Sequence, residues 1–225
     1  MLTTVVFDAD HTLLDLDPAV DGGLIAVLAE LRRLTPAADD VSVADLRADF
    51  AALFAARPAD PIVEIRRAAF VRSLDRVGLA GEADRILELF FARRFALTRP
   101  FDDALPALAA LRRSYTLGYA TNGNSRADRC GLAAQFSFEI YAHQAGVPKK
   151  PAPAFFAAVA SAATADPAAL VYVGDSPEHD VRAPQAAGLR AVWLNRDARP
   201  RPAGLRPDAE IRSLAELPAV LAAWR

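Results

Sequence analysis

The 225-residue chain has one cysteine, Cys130, so no disulfide can form within it, and that suits a reducing compartment. It has no charge bias: 26 Lys and Arg stand against 28 Asp and Glu. No basic stripe interrupts that balance, which argues against nucleic acid as a partner. No apolar run approaches the roughly 18 residues a membrane span needs. The N-terminus lacks a basic segment followed by a long apolar stretch, and acids interrupt it at Asp8 and Asp10, so a secretory leader is not expected and the expected location is cytoplasmic. Lysine is scarcest: of the 26 basic residues only Lys149 and Lys150 are not arginine. In such a chain a lysine marks a place where a compact ammonium is wanted. Hydrophobic residues nevertheless make up 53%, enough to argue against disorder and to fill one large core or two small ones.

What the chain does have begins at Val5-Val6-Phe7, which runs into Asp8-Ala9-Asp10-His11-Thr12. A β-branched and aromatic run ending in acid reads as a buried strand whose last residue leaves the sheet. Two carboxylates there oppose burial unless a cation or a reaction uses them.

Residues 16–98 carry no convincing strand. Leu24, Val27, Leu28, Leu31 and Leu34 mark one helical face. Ser42 with Asp45 begins a second helix, whose inward face is expected to carry Leu46, Phe50, Leu53 and Phe54. Asp60-Pro61 starts a third, through Ile62, Ile65, Phe70 and Leu74 to Gly78; a fourth spans roughly 82–97. Asp15 and Asp17 read as caps of the first helix, and Arg57, Arg66 and Arg67 as solvated, one of them a candidate for a second anionic group. From about Arg99, helices at 102–113, 126–134, 153–163 and 178–187 alternate with strands at 116–120, 138–141, 170–173 and 191–194. Cys130 reads as a packed helix residue. A Pro- and Arg-rich loop, 196–207, and a helix at about 214–224 close the chain. The alternation implies an α/β fold with a parallel sheet, into which the first strand must fit, so that the helical block is an insertion.

Ligands bind outside the carboxyl ends of such strands. Asp8 and Asp10 follow the first, Thr121-Asn122-Gly123-Asn124-Ser125 the second, and Gly174-Asp175-Ser176 with Asp180 the apolar fourth; Lys150 precedes a helix. Four acids and one lysine leave an excess of negative charge that a divalent cation offsets, and hard oxygen ligands without a His or Cys cluster favour Mg²⁺. Mg²⁺, a lysine, a threonine hydroxyl and the amides of a Gly-containing turn suit a phosphate. Of the paired carboxylates, one would attack phosphorus and the other would move protons.

Four ordered stretches, Val5–Leu14, Thr121-Asn122-Gly123, Lys150-Pro151-Ala152-Pro153 and Gly174 to Asp180, resemble the four motifs of the haloacid dehalogenase-like hydrolase superfamily. The resemblance implies a doubly wound, Rossmann-like core over 1–15 and 99–225, with a helical C1 cap over 16–98. It implies Asp8 as nucleophile and metal ligand, and Asp10 as general acid/base that also offers its carbonyl to the metal. Thr121 and the amides of Asn122 and Gly123 would bind phosphate. Lys150 would stabilise nucleophile and phosphoryl oxygens, Asp175 would bind Mg²⁺, and Asp180 would orient its waters or Lys150. His11 stands where glycine is common. The implied activity is a Mg²⁺-dependent phosphatase acting on a small phosphate ester (a sugar phosphate, phosphoglycolate or a nucleoside monophosphate) as monomer or homodimer. A dehalogenase is disfavoured because those enzymes lack the second acid. A phosphonatase needs a cap lysine, and 16–98 has none. A phosphomutase, a receiver-type phospho-acceptor and a non-catalytic phosphate-binding scaffold are the remaining alternatives.

Overall fold

Val5, Val6 and Phe7 have no exposed surface, and the strand they build, β1 (Thr4–Phe7), lies inside a six-stranded sheet. The structure is a computed structural model and describes residues 1–224. The other strands are β2 (Thr116–Thr121), β3 (Phe138–Tyr141), β4 (Leu170–Gly174), β5 (Arg190–Leu194) and β6 (Ala209–Ile211). Their order is β3-β2-β1-β4-β5-β6, with every pairing parallel. The chain winds one way from β1 to β3, then crosses to β4 and winds the other way, so the reversal falls between β1 and β4. Continuous apolar strands such as Leu170–Val173 are what a sheet covered on both faces requires.

Two compact units result: Met1–Asp15 with Pro100–Arg225, and Leu16–Arg99. The sheet unit has one core cluster around Val6, Phe155, Phe156, Leu170 and Tyr172, and another around Val181, Ala191, Trp193 and Leu205. Its helices are α5 (Ala104–Leu111), α6 (Pro153–Ala163), α7 (Ala183–Ala186) and α8 (Leu217–Ala222). Several expectations fail here. Residues 126–134 form only a 3₁₀ turn at Ala127–Arg129, so Cys130 is buried in a turn and not in a helix. The helix expected over 178–187 is a π-helical turn, Pro177–Arg182, followed by the short α7. The closing helix starts as a 3₁₀ turn at Leu214. Strand β6 comes after the Pro/Arg-rich loop and was not legible as a strand, being three residues long at a sheet edge.

The helical unit comprises α1 (Asp17–Leu34), α2 (Val43–Ala56), α3 (Ile62–Asp75) and α4 (Ala83–Leu97). Leu24, Val27, Leu28, Leu31, Phe70, Leu74, Ile86 and Phe90 form its core; Leu34 is only half-buried. Ser42 and Asp45 form the capping box, each side chain accepting the other's backbone N–H. Asp15 and Asp17 do not cap α1; Leu16 holds the N-cap position and Asp17 lies in the first turn, where its charge suits the dipole. Asp60 does not cap α3, which starts after Pro61. On α2 only Leu46 of the expected inward face is buried; Phe50 and Leu53 are half-buried and Phe54 is 40% exposed. The buried partner on that helix is Asp49, held by Ser73, Arg72 and Arg76. Arg67 is exposed and paired with Asp84, and Arg57 pairs with Asp60, but Arg66 is not solvated: it is 7% exposed.

Deleting a core side chain should therefore matter where deleting the exposed one does not. Urea unfolding of Phe90→Ala is expected to show a loss of about 3–5 kcal/mol, against about 0.5 kcal/mol or less for Phe54→Ala.

Candidate active site

Parallel register brings the strand ends level. Phe7 pairs with Tyr119 on one side and Val173 on the other, and the ladder extends one step as the Asp8 amide donates to the Val173 carbonyl at 2.9 Å. Asp8, Thr121 and Asp175 therefore leave the sheet along one edge. After Asp8 the chain turns back on the Ala9 carbonyl, which accepts from the amides of Leu13 and Leu14 at 2.9 and 3.0 Å. His11 occupies the left-handed region of this turn, φ 62°, which explains why glycine suits the position and why histidine is tolerated, His being among the residues enriched there.

At the centre lies the ammonium of Lys150, 4% exposed. It donates to Asp8 Oδ1 at 2.7 Å, Asp180 Oδ1 at 2.6 Å and the Tyr172 hydroxyl at 2.8 Å, which uses all three of its protons. Burial opposes the lysine charge, but Asp180 and Asp8 outweigh it and hold its pKa well above the ordinary value. Burial pushes the Asp8 carboxyl upward, Lys150 opposes that, and Asp180 and Asp175 add to it; the result is a raised pKa. Tyr172, equally buried, stays a phenol and donates to the Ala120 carbonyl at 2.6 Å.

Two glycines are dictated by close approach. A Cβ on Gly174 would come within 2.4 Å of the Asp180 carboxylate, and one on Gly123 within 2.5 Å of Asp10 Oδ2. Asp180 Oδ2 accepts the Ser176 amide at 2.9 Å, which with Lys150 fixes both its oxygens. Asp10 is half-buried and accepts from Ser125 Oγ at 2.5 Å. Thr121 is buried, and its Oγ1 accepts the Gly123 amide at 3.0 Å. The Asn122 side chain turns away from that task and clamps the Lys150 backbone, donating to its carbonyl at 3.0 Å and accepting its amide at 2.7 Å.

Asp8, Asp175 and Asp180 offer ligand oxygens that all lie within 4.8 Å of one another. Three carboxylates against one ammonium leave two negative charges, and burial, then Asp180, lift Asp175 to about 6 despite nearby His11 and Arg199. A divalent cation fits this set in charge and in donor hardness, and it would hold Asp8 ionised. Asp175 presents its carboxylate under restraint: its carbonyl accepts from Trp193 Nε1 at 3.0 Å and from Arg199 at 2.8 Å.

Sequence reasoning placed Ser125 beyond the second strand without giving it a role, and did not single out Tyr172, Trp193 or Arg199, nor the clamp by the Asn122 side chain. Tyr172 carries the only available signal, a hydroxyl inside an otherwise apolar strand.

Because protons compete for Asp175, and for Asp8 whose pKa is also raised, Mg²⁺ affinity should fall at least about tenfold per pH unit below about 6. Stability without metal has the opposite pH dependence: the raised pKa favours the native state at low pH, and that contribution is lost as pH rises from about 4 through about 6. The thermal upshift given by Mg²⁺ is accordingly expected to be large at pH 7.5 and small at pH 5. Separately, Asn122→Ala should lower turnover through a misplaced Lys150 while leaving the thermal midpoint within a few degrees.

The whole chain superposes on the 2-haloacid dehalogenase structure from Pseudomonas syringae pv. Tomato DC3000, with a TM-score of 0.84, 35% identity and 100% of both chains covered. It is 35% identical over 161 residues to the phosphoserine phosphatase of Thermus thermophilus, covering 68% of this chain and 63% of that protein. It is 31% identical over 145 residues to the Escherichia coli pyrimidine 5'-nucleotidase YjjG, covering 62% and 64%. The chain thus spans a little under two thirds of the length of these two relatives. Residues 2–188 match the haloacid dehalogenase-like hydrolase model, and the chain belongs to that family.

Proposed function

We propose that this chain is a Mg²⁺-dependent phosphatase for a small phosphorylated metabolite, working through an aspartyl-phosphate on Asp8. The observation that carries this reading is the second carboxylate, Asp10, restrained by Ser125 beside the nucleophile's turn and closed upon by Gly123. A halide leaves without a proton, whereas the alkoxide of a phosphate ester needs one, so an acid positioned to protonate the leaving group has that work only in the second reaction.

In this mechanism Asp8, as carboxylate, attacks phosphorus and the ester oxygen departs with the Asp10 proton. Asp10 then takes a proton from the water that attacks phosphorus, releasing phosphate and restoring Asp8. Lys150 orients Asp8 and offsets charge on the phosphoryl oxygens. Thr121 and the amides of Asn122 and Gly123 bind the phosphate; the Gly123 amide must leave Thr121 Oγ1 to do so. Asp8, Asp175 and the Asp10 carbonyl would hold Mg²⁺, with Asp180 behind them, and the ion would supply neutralisation of phosphate charge. In the same proposal 1–15 and 99–225 form the catalytic domain, and the helical insertion 16–98 is the cap that selects the substrate.

The full-length likeness to a 2-haloacid dehalogenase favours dehalogenation as the second reading. Hydrolysis of p-nitrophenyl phosphate is expected with Mg²⁺ and not without it, and chloride release from 2-chloropropionate is expected to be absent; the opposite pair of results rejects the proposal. Asp8→Asn should leave less than about 1% activity. Asp10→Asn should slow the first turnover of alkyl phosphates by about 10²–10⁴ but affect the first-turnover burst of p-nitrophenol, a leaving group that needs no proton, far less. An equal first-turnover loss on both substrates would remove Asp10 as the proton donor to the leaving group.

A further inference from the structure

Arg66, on α3, is a buried cation without a counterion among the described residues. Its Nη1 is buried and has no hydrogen-bond partner, and among those residues it forms no ion pair. Its guanidinium carbon lies 3.6 Å from the centre of the Phe50 ring and 4.8 Å from that of Phe90. Burial first, then the like charges of Arg94 and Arg47, lower its pKa to about 9, which leaves it protonated at neutral pH. Arg94, on α4, is itself 5% exposed and lies over the Phe95 ring at 4.5 Å. Arg47 is exposed and paired with Asp21.

Nothing in a stable fold favours this arrangement on its own account. Aromatic faces offset part of a guanidinium's lost hydration, but a second buried arginine nearby makes matters worse. Several other arginines of the same unit are answered by acids, as Arg67 is by Asp84 and Arg76 by Asp49. The cover over Arg66 also reaches solvent on one side: Phe50 is half-buried and stacks on Phe54, which is 40% exposed, with ring centres 5.8 Å apart.

We infer that the helical unit holds a binding site for a carboxylate, with Arg66 as its anchor, Arg94 adding to the positive field, and Phe50 and Phe54 as an apolar wall. A guanidinium matches a planar carboxylate through paired N–H donors, and an aromatic wall suits a carboxylate carrying an apolar body. The carboxylate is either the substrate's own or that of a separate small molecule, and the inference does not depend on the phosphatase reading.

Sodium benzoate is the probe, with neutral benzamide as control. Benzoate is expected to raise the thermal midpoint of the full-length protein saturably, and benzamide is not. Arg66→Met should weaken benzoate at least about tenfold and, without ligand, should melt at the same temperature as the wild type or higher, since an uncompensated charge has gone. An arginine kept only for stacking would instead give a variant that melts lower. No saturable benzoate effect on the wild type, or an equal effect of benzamide, overturns the inference, and these readouts need no foldable variant. Benzoate that competes with p-nitrophenyl phosphate identifies the substrate's own carboxylate as the occupant; bound benzoate that does not compete identifies a separate anion. A protein that binds benzoate but hydrolyses no phosphate ester would leave this site standing and remove the phosphatase reading.

Discussion

The Lys150 ammonium, held between the carboxylates of Asp8 and Asp180, is the interaction on which the rest of the sheet edge depends. All three of its protons are used, and all three acceptors are buried. Removing such an ammonium would leave two carboxylates facing each other in a medium of low polarizability, a loss of about 3–5 kcal/mol for one broken buried pair alone. The surrounding structure is arranged to keep it in place. Asn122 grips its backbone from the β2 turn, Tyr172 reaches it from β4, and Gly174 leaves room for Asp180 to approach. These residues come from segments far apart in the chain, and only the parallel register of β1 with β2 and β4 brings them together.

The tendency of ligands to bind at strand ends makes much of this legible. Asp8, Thr121, Lys150, Asp175 and Asp180 come from four separate stretches. Three of those stretches lie just beyond the carboxyl ends of apolar strands, and the fourth lies just before a helix, so the strand pattern is enough to gather them. The choice of Lys150 over Lys149 rests on its place before Pro151, and Lys150 is the one that reaches Asp8. The sequence does not disclose how each group is held. The Asn122 clamp acts through a side chain on a backbone whose position depends on a loop, and the restraint on Asp175 comes through its carbonyl from Trp193 and Arg199. Such bonds leave no periodic trace.

Helical periodicity also misleads where polar groups are buried. Phe50, Leu53 and Phe54 recur at core spacing on α2, yet the helix turns Leu46 and Asp49 inward, because Asp49 is satisfied by Ser73, Arg72 and Arg76. Arg66 reads as a surface residue for the same reason: spacing reports hydrophobicity and is blind to a cation stacked on rings. The short elements fail differently. A 3₁₀ turn at Ala127–Arg129 and a three-residue strand at Ala209–Ile211 contain too few residues to show a period.

The central position of β1 has a consequence for synthesis on the ribosome. Its two neighbours begin at Thr116 and Leu170, so both edges of Val5-Val6-Phe7 stay unpaired while more than a hundred residues are added. At roughly 5–20 residues per second that interval is on the order of ten seconds. The helical unit, with a core built from neighbouring helices, has ample time to form in that interval, since local contacts close in microseconds to milliseconds. The strand that leads into Asp8 is therefore made before the other five and waits longest for its partners, an apolar edge that must be kept from other chains until β2 and then β4 have emerged.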